Sequence, residues 1–170
     1  MSTIDRIAIR RVAVERASVI SGQSFDAVLA KLAAAIGHPD MSAFARAVVA
    51  AGTAAELERI VEAATGPAGL MEMAHFDIGE VLRKDLGHRA QKSVRLVIGN
   101  PLIVNEMVKQ VPDAASYAPV TVLIDERADG VHLSYHLMAS FLAPYGNAQA
   151  CAVAASLDEK VVAVLTAAAE

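Results

Sequence analysis

The sequence predicts an α+β fold: a mixed, largely antiparallel sheet of about five strands, helices packed on one of its faces, and an inserted helical pair at about residues 41–65. Three observations carry that expectation. Short β-branched runs alternate along the chain with stretches whose apolar residues recur at helical spacing. Cap and turn residues punctuate the two kinds of segment. The chain has 170 residues, 55% of them hydrophobic but only 4% aromatic and none Trp, which suits one domain with a core of Ala, Val, Leu and Ile.

The elements follow in order. Ile7, Ile9, Val12 and Val14 alternate with charged residues and suggest a strand over about residues 7–20. Ser24 can cap a helix whose face is Phe25, Val28, Leu29, Leu32 and Ile36, ended by Gly37 and Pro39. Two short helices come next. Phe44 and Val48 form the inner face of the first, and the capping box Thr53-Ala54-Ala55-Glu56 opens the second, which carries Leu57, Ile60, Val61 and Ala64 up to Gly66-Pro67. Leu70 to Phe76 reads as a strand, and Asp77-Ile78-Gly79 leads from it into a short helical turn, Glu80 to Lys84.

The sharpest local signature is Val94-Arg95-Leu96-Val97-Ile98-Gly99-Asn100-Pro101, a strand that breaks into a helix. Asn100 can cap that helix, Pro101 suits its first position, and Gly99 allows the turn. Such a start exposes N–H groups that can hold a carboxylate or phosphate, although the same residues also serve simply to turn the chain. A loop from Val111 to Pro119 precedes the strand Val120 to Ile124. Asp129-Gly130 returns the chain along Val131 to His136, with Val131, Leu133 and Tyr135 on one face and His132, Ser134 and His136 on the other. The longest helix, about Asn147 to Ala168, places Ala150, Val153, Leu157, Val161, Val164 and Leu165 on one stripe.

This order of motifs, with Ser24-Phe25-Asp26 opening one helix, Val97-Ile98-Gly99-Asn100-Pro101 opening another, Pro119 to Asp125 before an Asp-Gly hairpin and a closing amphipathic helix, resembles the domain-of-unknown-function 302 family over about Arg10 to Ala168. The resemblance implies a small α+β fold, with the sheet on one side and helices on the other, and a tendency to form homodimers. It implies no activity. The chain departs from the pattern of many short members at Ile78, where they carry a His after the Asp, and in the helices around residues 41–64.

Composition narrows the function classes. A formal net charge of −4, few aromatic residues and no basic cluster beyond Arg10-Arg11 and Arg83-Lys84 oppose nucleic-acid binding. The first residues lack a signal-peptide pattern, and no uncharged apolar run approaches the roughly 18–20 residues of a membrane span, so a cytoplasmic protein without membrane contact is expected. A lone Cys151 forms no internal disulfide and fits a reducing compartment. No metal or other cofactor is expected. His132 and His136 share a strand face but lie roughly 13 Å apart at strand spacing, His75 and Asp77 lack a third ligand, and no haem-attachment motif is present.

The leading expectation is a non-catalytic binding module that holds a small apolar or anionic ligand between sheet and helices. Its candidate contacts are Gly99, Asn100, His75, Asp77, Tyr117, Tyr135 and His136, with Tyr145 as a further polar group. One alternative is a small enzyme with a His/Asp acid–base pair, His75 with Asp77 or Glu80, or His132 with Asp125 across the hairpin. Structural ion pairing explains the same residues. Another alternative is a structural or regulatory homodimer with no ligand.

Overall fold

A computed structural model of the chain describes residues 9–87 and 90–170. The strands are β1 (Arg16–Ser21), β2 (Met71–Asp77), β3 (Ser93–Gly99), β4 (Val120–Arg127) and β5 (Gly130–His136). The helices are α1 (Phe25–Ala35), α2 (Met41–Ala50), α3 (Ala54–Ala64), α4 (Ile78–Leu86), α5 (Pro101–Val108), α6 (Met138–Leu142) and α7 (Ala148–Ala169). The strands form one five-stranded sheet in the order β1-β5-β4-β3-β2, with every neighbouring pair antiparallel. The parallel component expected of a mixed sheet is only an isolated bridge between Gly37 and Met71.

The alternation read from β5 sets the layers. Tyr135 lies opposite Ala17 and Val122, and Leu133 opposite Val19 and Ile124. The register carries this face on to Leu96 and Val94 of β3, and α1, α5 and α7 cover it. Leu32, Leu133 and Leu165 are fully buried between the layers, each stabilising the fold by roughly 1.5–3 kcal/mol. The opposite face stays open to solvent at Arg16, Ser18, Ile20, Arg95 and Thr121. Helices therefore pack on one face, as the sequence implies.

The first strand is shorter than its alternation suggests. Ile7 lies outside the described residues, and Ile9, Val12 and Val14 are not in a strand. The reason is the partner: β1 pairs from Arg16 opposite His136, the last residue of β5. Beyond His136 the chain turns into α6, so residues 9–15 have no ladder to join. Glu15 instead accepts the Leu137 N–H, and its own N–H bonds Ser140 Oγ.

The helical pair lies at the periphery. Phe44 and Val48 of α2 are half-buried and no residue of that helix is fully buried, while α3 buries only Val61. Thr53 caps α3 as expected, but Glu56 accepts the N–H of Gly52 rather than that of Thr53. A close crossing fixes the end of α3, where a Cβ on Gly37 would lie 2.0 Å from the Ala64 carbonyl oxygen. The Leu70 carbonyl accepts both the Gly37 and the Gly66 N–H groups there. Among the described residues no helix is long and apolar enough to cross a membrane.

Candidate functional site

Asn100 and His136 close two parallel strands, β3 and β5, at the same end of the sheet, with the start of β4 between them. At the first of these ends the polar groups are satisfied within the fold. Asn100 Oδ1 accepts the Leu102 N–H at 2.9 Å, capping α5, and Nδ2 donates to the Gly69 carbonyl at 3.0 Å. Gly99 is buried, and a Cβ there would stand 3.1 Å from Pro119 Cβ, so its small size serves packing. The Ala118–Pro119 peptide is cis and leads into β4.

At the other end the structure brings two predicted site residues together. A cleft of about 310 Å³ is lined by Ser116, Tyr117, Thr121, His136, Met138 and Phe141. The register that sets Val122 opposite Tyr135 puts Thr121 beside His136 on the open face. Tyr117 follows the short 3₁₀ segment Pro112–Ser116 and stacks on Phe141 of α6, ring centroids 4.8 Å apart and planes 14° apart. This stacked pair gives the cleft an aromatic wall.

Hydrogen-bond direction can be assigned around this wall. Tyr145 donates to Asp113 Oδ2 at 2.7 Å, and its oxygen lies 3.2 Å from that of Tyr117. A carboxylate only accepts, so the Tyr145 proton is engaged there and Tyr117 donates to Tyr145. The contacts to Tyr117 and Asp113 hold the Tyr145 phenol well above its usual range. At the rim, Arg16 Nε donates to His136 Nε2 at 3.0 Å. The neutral His136 ring therefore carries its proton on Nδ1.

Tyr135, the third residue expected here, faces inward. It is 2% exposed, and its hydroxyl donates to Asp158 Oδ1 of α7 at 2.5 Å. Burial, and then the Asp158 carboxylate, push the phenol far above its ordinary range. Asp158 also accepts the Met138 N–H at 2.7 Å and the Ala139 N–H at 2.9 Å. Helix α6 begins after Leu137, which has no side-chain oxygen to cap it; Asp158 supplies the cap from α7 instead. Tyr135 and Asp158 thus support the wall that carries Met138 and Phe141. The sequence held a signal for this role. Asp158 stands on the core stripe of α7 between Ala154 and Val161, where an ionised residue requires partners.

The remaining candidates lie elsewhere. Asp77 caps α4 through the Glu80 N–H and pairs with Arg83 at 3.2 Å. His75 shares its strand face but meets Glu72, with Nδ1 3.5 Å from the carboxylate, and His38 approaches the other oxygen of Glu72 at 3.7 Å. Glu72 and His38, which sequence pattern did not single out, therefore replace Asp77 beside His75. Across the hairpin Asp125 does stand opposite His132. Yet Asp125 binds Arg127, while His132 bonds Asp129 and lowers the pKa of that carboxylate. Among the described residues no three His, Cys, Asp or Glu side chains are grouped so as to hold a metal ion.

Two other grooves carry polar groups that the fold engages in part, and no aromatic side chain lines either of them. Between α2 and α3, Glu56 holds the Gly52 N–H and Arg59 holds the Ala55 carbonyl. Between α3, α5 and α7, Lys109 pairs with Glu106 at 2.6 Å.

Comparison with known proteins gives the chain its relatives. No match is found among curated proteins. The fold is similar to the crystal structure of an uncharacterized conserved protein DUF302 from Bacillus stearothermophilus, with a TM-score of 0.62 at 9% identity, covering 89% of this chain and 96% of that one. The family model described as "Domain of unknown function DUF302" matches residues 49–168. That match takes in α3 through most of α7 and leaves β1 and α1, which complete the sheet and its cover, outside it. The chain belongs to the DUF302 family.

Proposed function

We propose that this protein is a small-molecule binding module whose ligand occupies the cleft between the start of β4, the end of β5 and α6. The observation that carries this reading is the convergence of Tyr117, Thr121 and His136 on one aromatic-walled concavity of about 310 Å³. Small-ligand sites combine an apolar wall with a few convergent polar groups. Here Tyr117 and Phe141 supply the wall, Ser116 and Thr121 offer hydroxyls, and His136 offers an imidazole N–H. The helix start at Asn100, whose side chain is already engaged, has the smaller claim. A thermal-shift screen of small aromatic and aliphatic compounds, repeated on Thr121→Trp, tests the reading. Thr121 is exposed on a strand, so the indole fills the cleft without disturbing the core. Protection by some compounds that is lost in Thr121→Trp is the expected result. Protection by none, or equal protection of both proteins, contradicts it.

A second reading, acid–base chemistry, is favoured by Glu72 lying between His38 and His75. It needs a substrate site at the β2 edge, and His75 lines none of the grooves described above. Pairing of two copies is supported by the apolar side chains left exposed from Phe76 to Leu86, with Val81 69% exposed. Sedimentation velocity checks this point, and a single species of 17.8 kDa would remove it.

A further inference from the structure

We infer that the ligand of the cleft is a small carboxylate with a planar apolar body, held at its charged end by Arg16; this rests on the binding reading above. Arg16 opens β1 opposite His136, and its Nε–H bond to His136 Nε2 holds the guanidinium against this lining residue of the cleft, within reach of a ligand that extends past the imidazole. That bond uses one of the five N–H donors. The two terminal amino groups have no hydrogen-bond or ion-pair partner among the described residues. Their outer edge is the fork that matches a carboxylate with two parallel N–H···O bonds. His136 keeps an Nδ1–H donor beside it. The Arg16–His136 pair therefore offers a ligand positive charge and N–H donors.

The apolar part of the lining is the stacked Tyr117 and Phe141 rings, backed by the buried Met138 and Val120. Planar ligands gain most from such a surface, because offset stacking adds to the area they bury. A cleft of about 310 Å³ suits a ligand of one ring with a short substituent. A doubly charged or wholly polar anion would leave the wall unused, and a neutral hydrocarbon would leave the Arg16 fork unpaired.

The test uses benzoate and benzamide, which share a ring and differ in charge. Binding is read from amide chemical-shift titrations on the full chain, for wild type and Arg16→Met. Arg16 is exposed, and an unchanged melting curve shows that the variant keeps its fold. The inference expects benzoate to bind wild type at least about tenfold more tightly than benzamide, and Arg16→Met to remove that preference while leaving benzamide affinity within about twofold. Equal affinity for both probes in the wild type, or a benzoate preference that survives in Arg16→Met, overturns the carboxylate assignment and leaves the cleft reading standing. Failure of both probes to shift residues around Tyr117 and His136 overturns the carboxylate assignment and counts against the cleft reading as well.

Discussion

The ends of β3 and β5 lie at the same end of one sheet, and both finish in a polar side chain, yet they differ in what those side chains have left to offer. Asn100 donates to Gly69 and accepts from Leu102, so its cap is complete within the fold. His136 lines the cleft and has one hydrogen-bond partner among the described residues, Arg16, whose bond leaves the imidazole Nδ1 unengaged. A capped helix start and a ligand cradle draw on the same residue types. What separates them is whether the surrounding chain has already satisfied the donors and acceptors. The grooves at α2–α3 and at α3–α5–α7 differ in another way, since no aromatic side chain lines them.

Four substitutions or titrations sharpen that comparison. The largest effect belongs to the support behind the cleft. Asp158→Ala leaves the Tyr135 hydroxyl and the Met138 and Ala139 N–H groups without their acceptor, at a cost on the order of 3 kcal/mol or more. Urea denaturation measures it, and a loss below about 1 kcal/mol would show that α6 does not depend on this carboxylate. Asn100→Ala removes a cap and a loop tie, costing about 1–2 kcal/mol. Affinity for cleft ligands should be unchanged in that variant, and a parallel fall in affinity would reverse the assignment of the two ends.

Alkaline titration probes Tyr135. Its folded-state pKa is raised from an ordinary value of 10.0, so the neutral phenol stabilises the fold fully below that pH. The stabilisation declines above it, as the unfolded chain ionises first. Between pH 10 and 11 this single group accounts for about 1 kcal/mol of lost stability. Tyr135→Phe, less stable at pH 8, should therefore lose less than wild type over that interval; identical pH slopes would show that the hydroxyl is not held neutral. The smallest stability effect is His136→Ala, within about 0.5 kcal/mol because the side chain is exposed. Its affinity for cleft ligands should fall while that of Asn100→Ala does not, and an unchanged affinity in His136→Ala would remove the imidazole from the site.

Much of the fold was legible because its signals are local. Ser24, Asp40, Thr53, Asp77, Asn100 and Asn147 each cap the helix that follows, and all of these but Asp40 fall where cap chemistry or an element boundary was read. The β-branched runs of β3, β4 and β5 became strands, with Asp125 opposite His132 across the hairpin. Sequence fails where the answer depends on a distant partner. Ile9 and Val14 alternate like a strand but have no neighbour to pair with. Asp158 stands out on the core stripe of α7, but its partners, Tyr135 and the start of α6, lie about twenty residues earlier and only the fold brings them against it. The candidate site divides along the same line. Tyr117 and His136 could be nominated by residue type, but their meeting depends on the β4–β5 register and on Phe141 of a helix that local pattern did not reveal. Asn100 looked available because Gly69, its second partner, lies 31 residues away.

The most direct test of where this protein binds its ligand is an amide chemical-shift titration of the full chain with benzoate. The largest changes should cluster at Ser116–Thr121 and His136–Phe141, with little movement at Gly99–Ile103. Changes centred on Asn100 and the first turn of α5, with the Tyr117–His136 cleft silent, would contradict this placement.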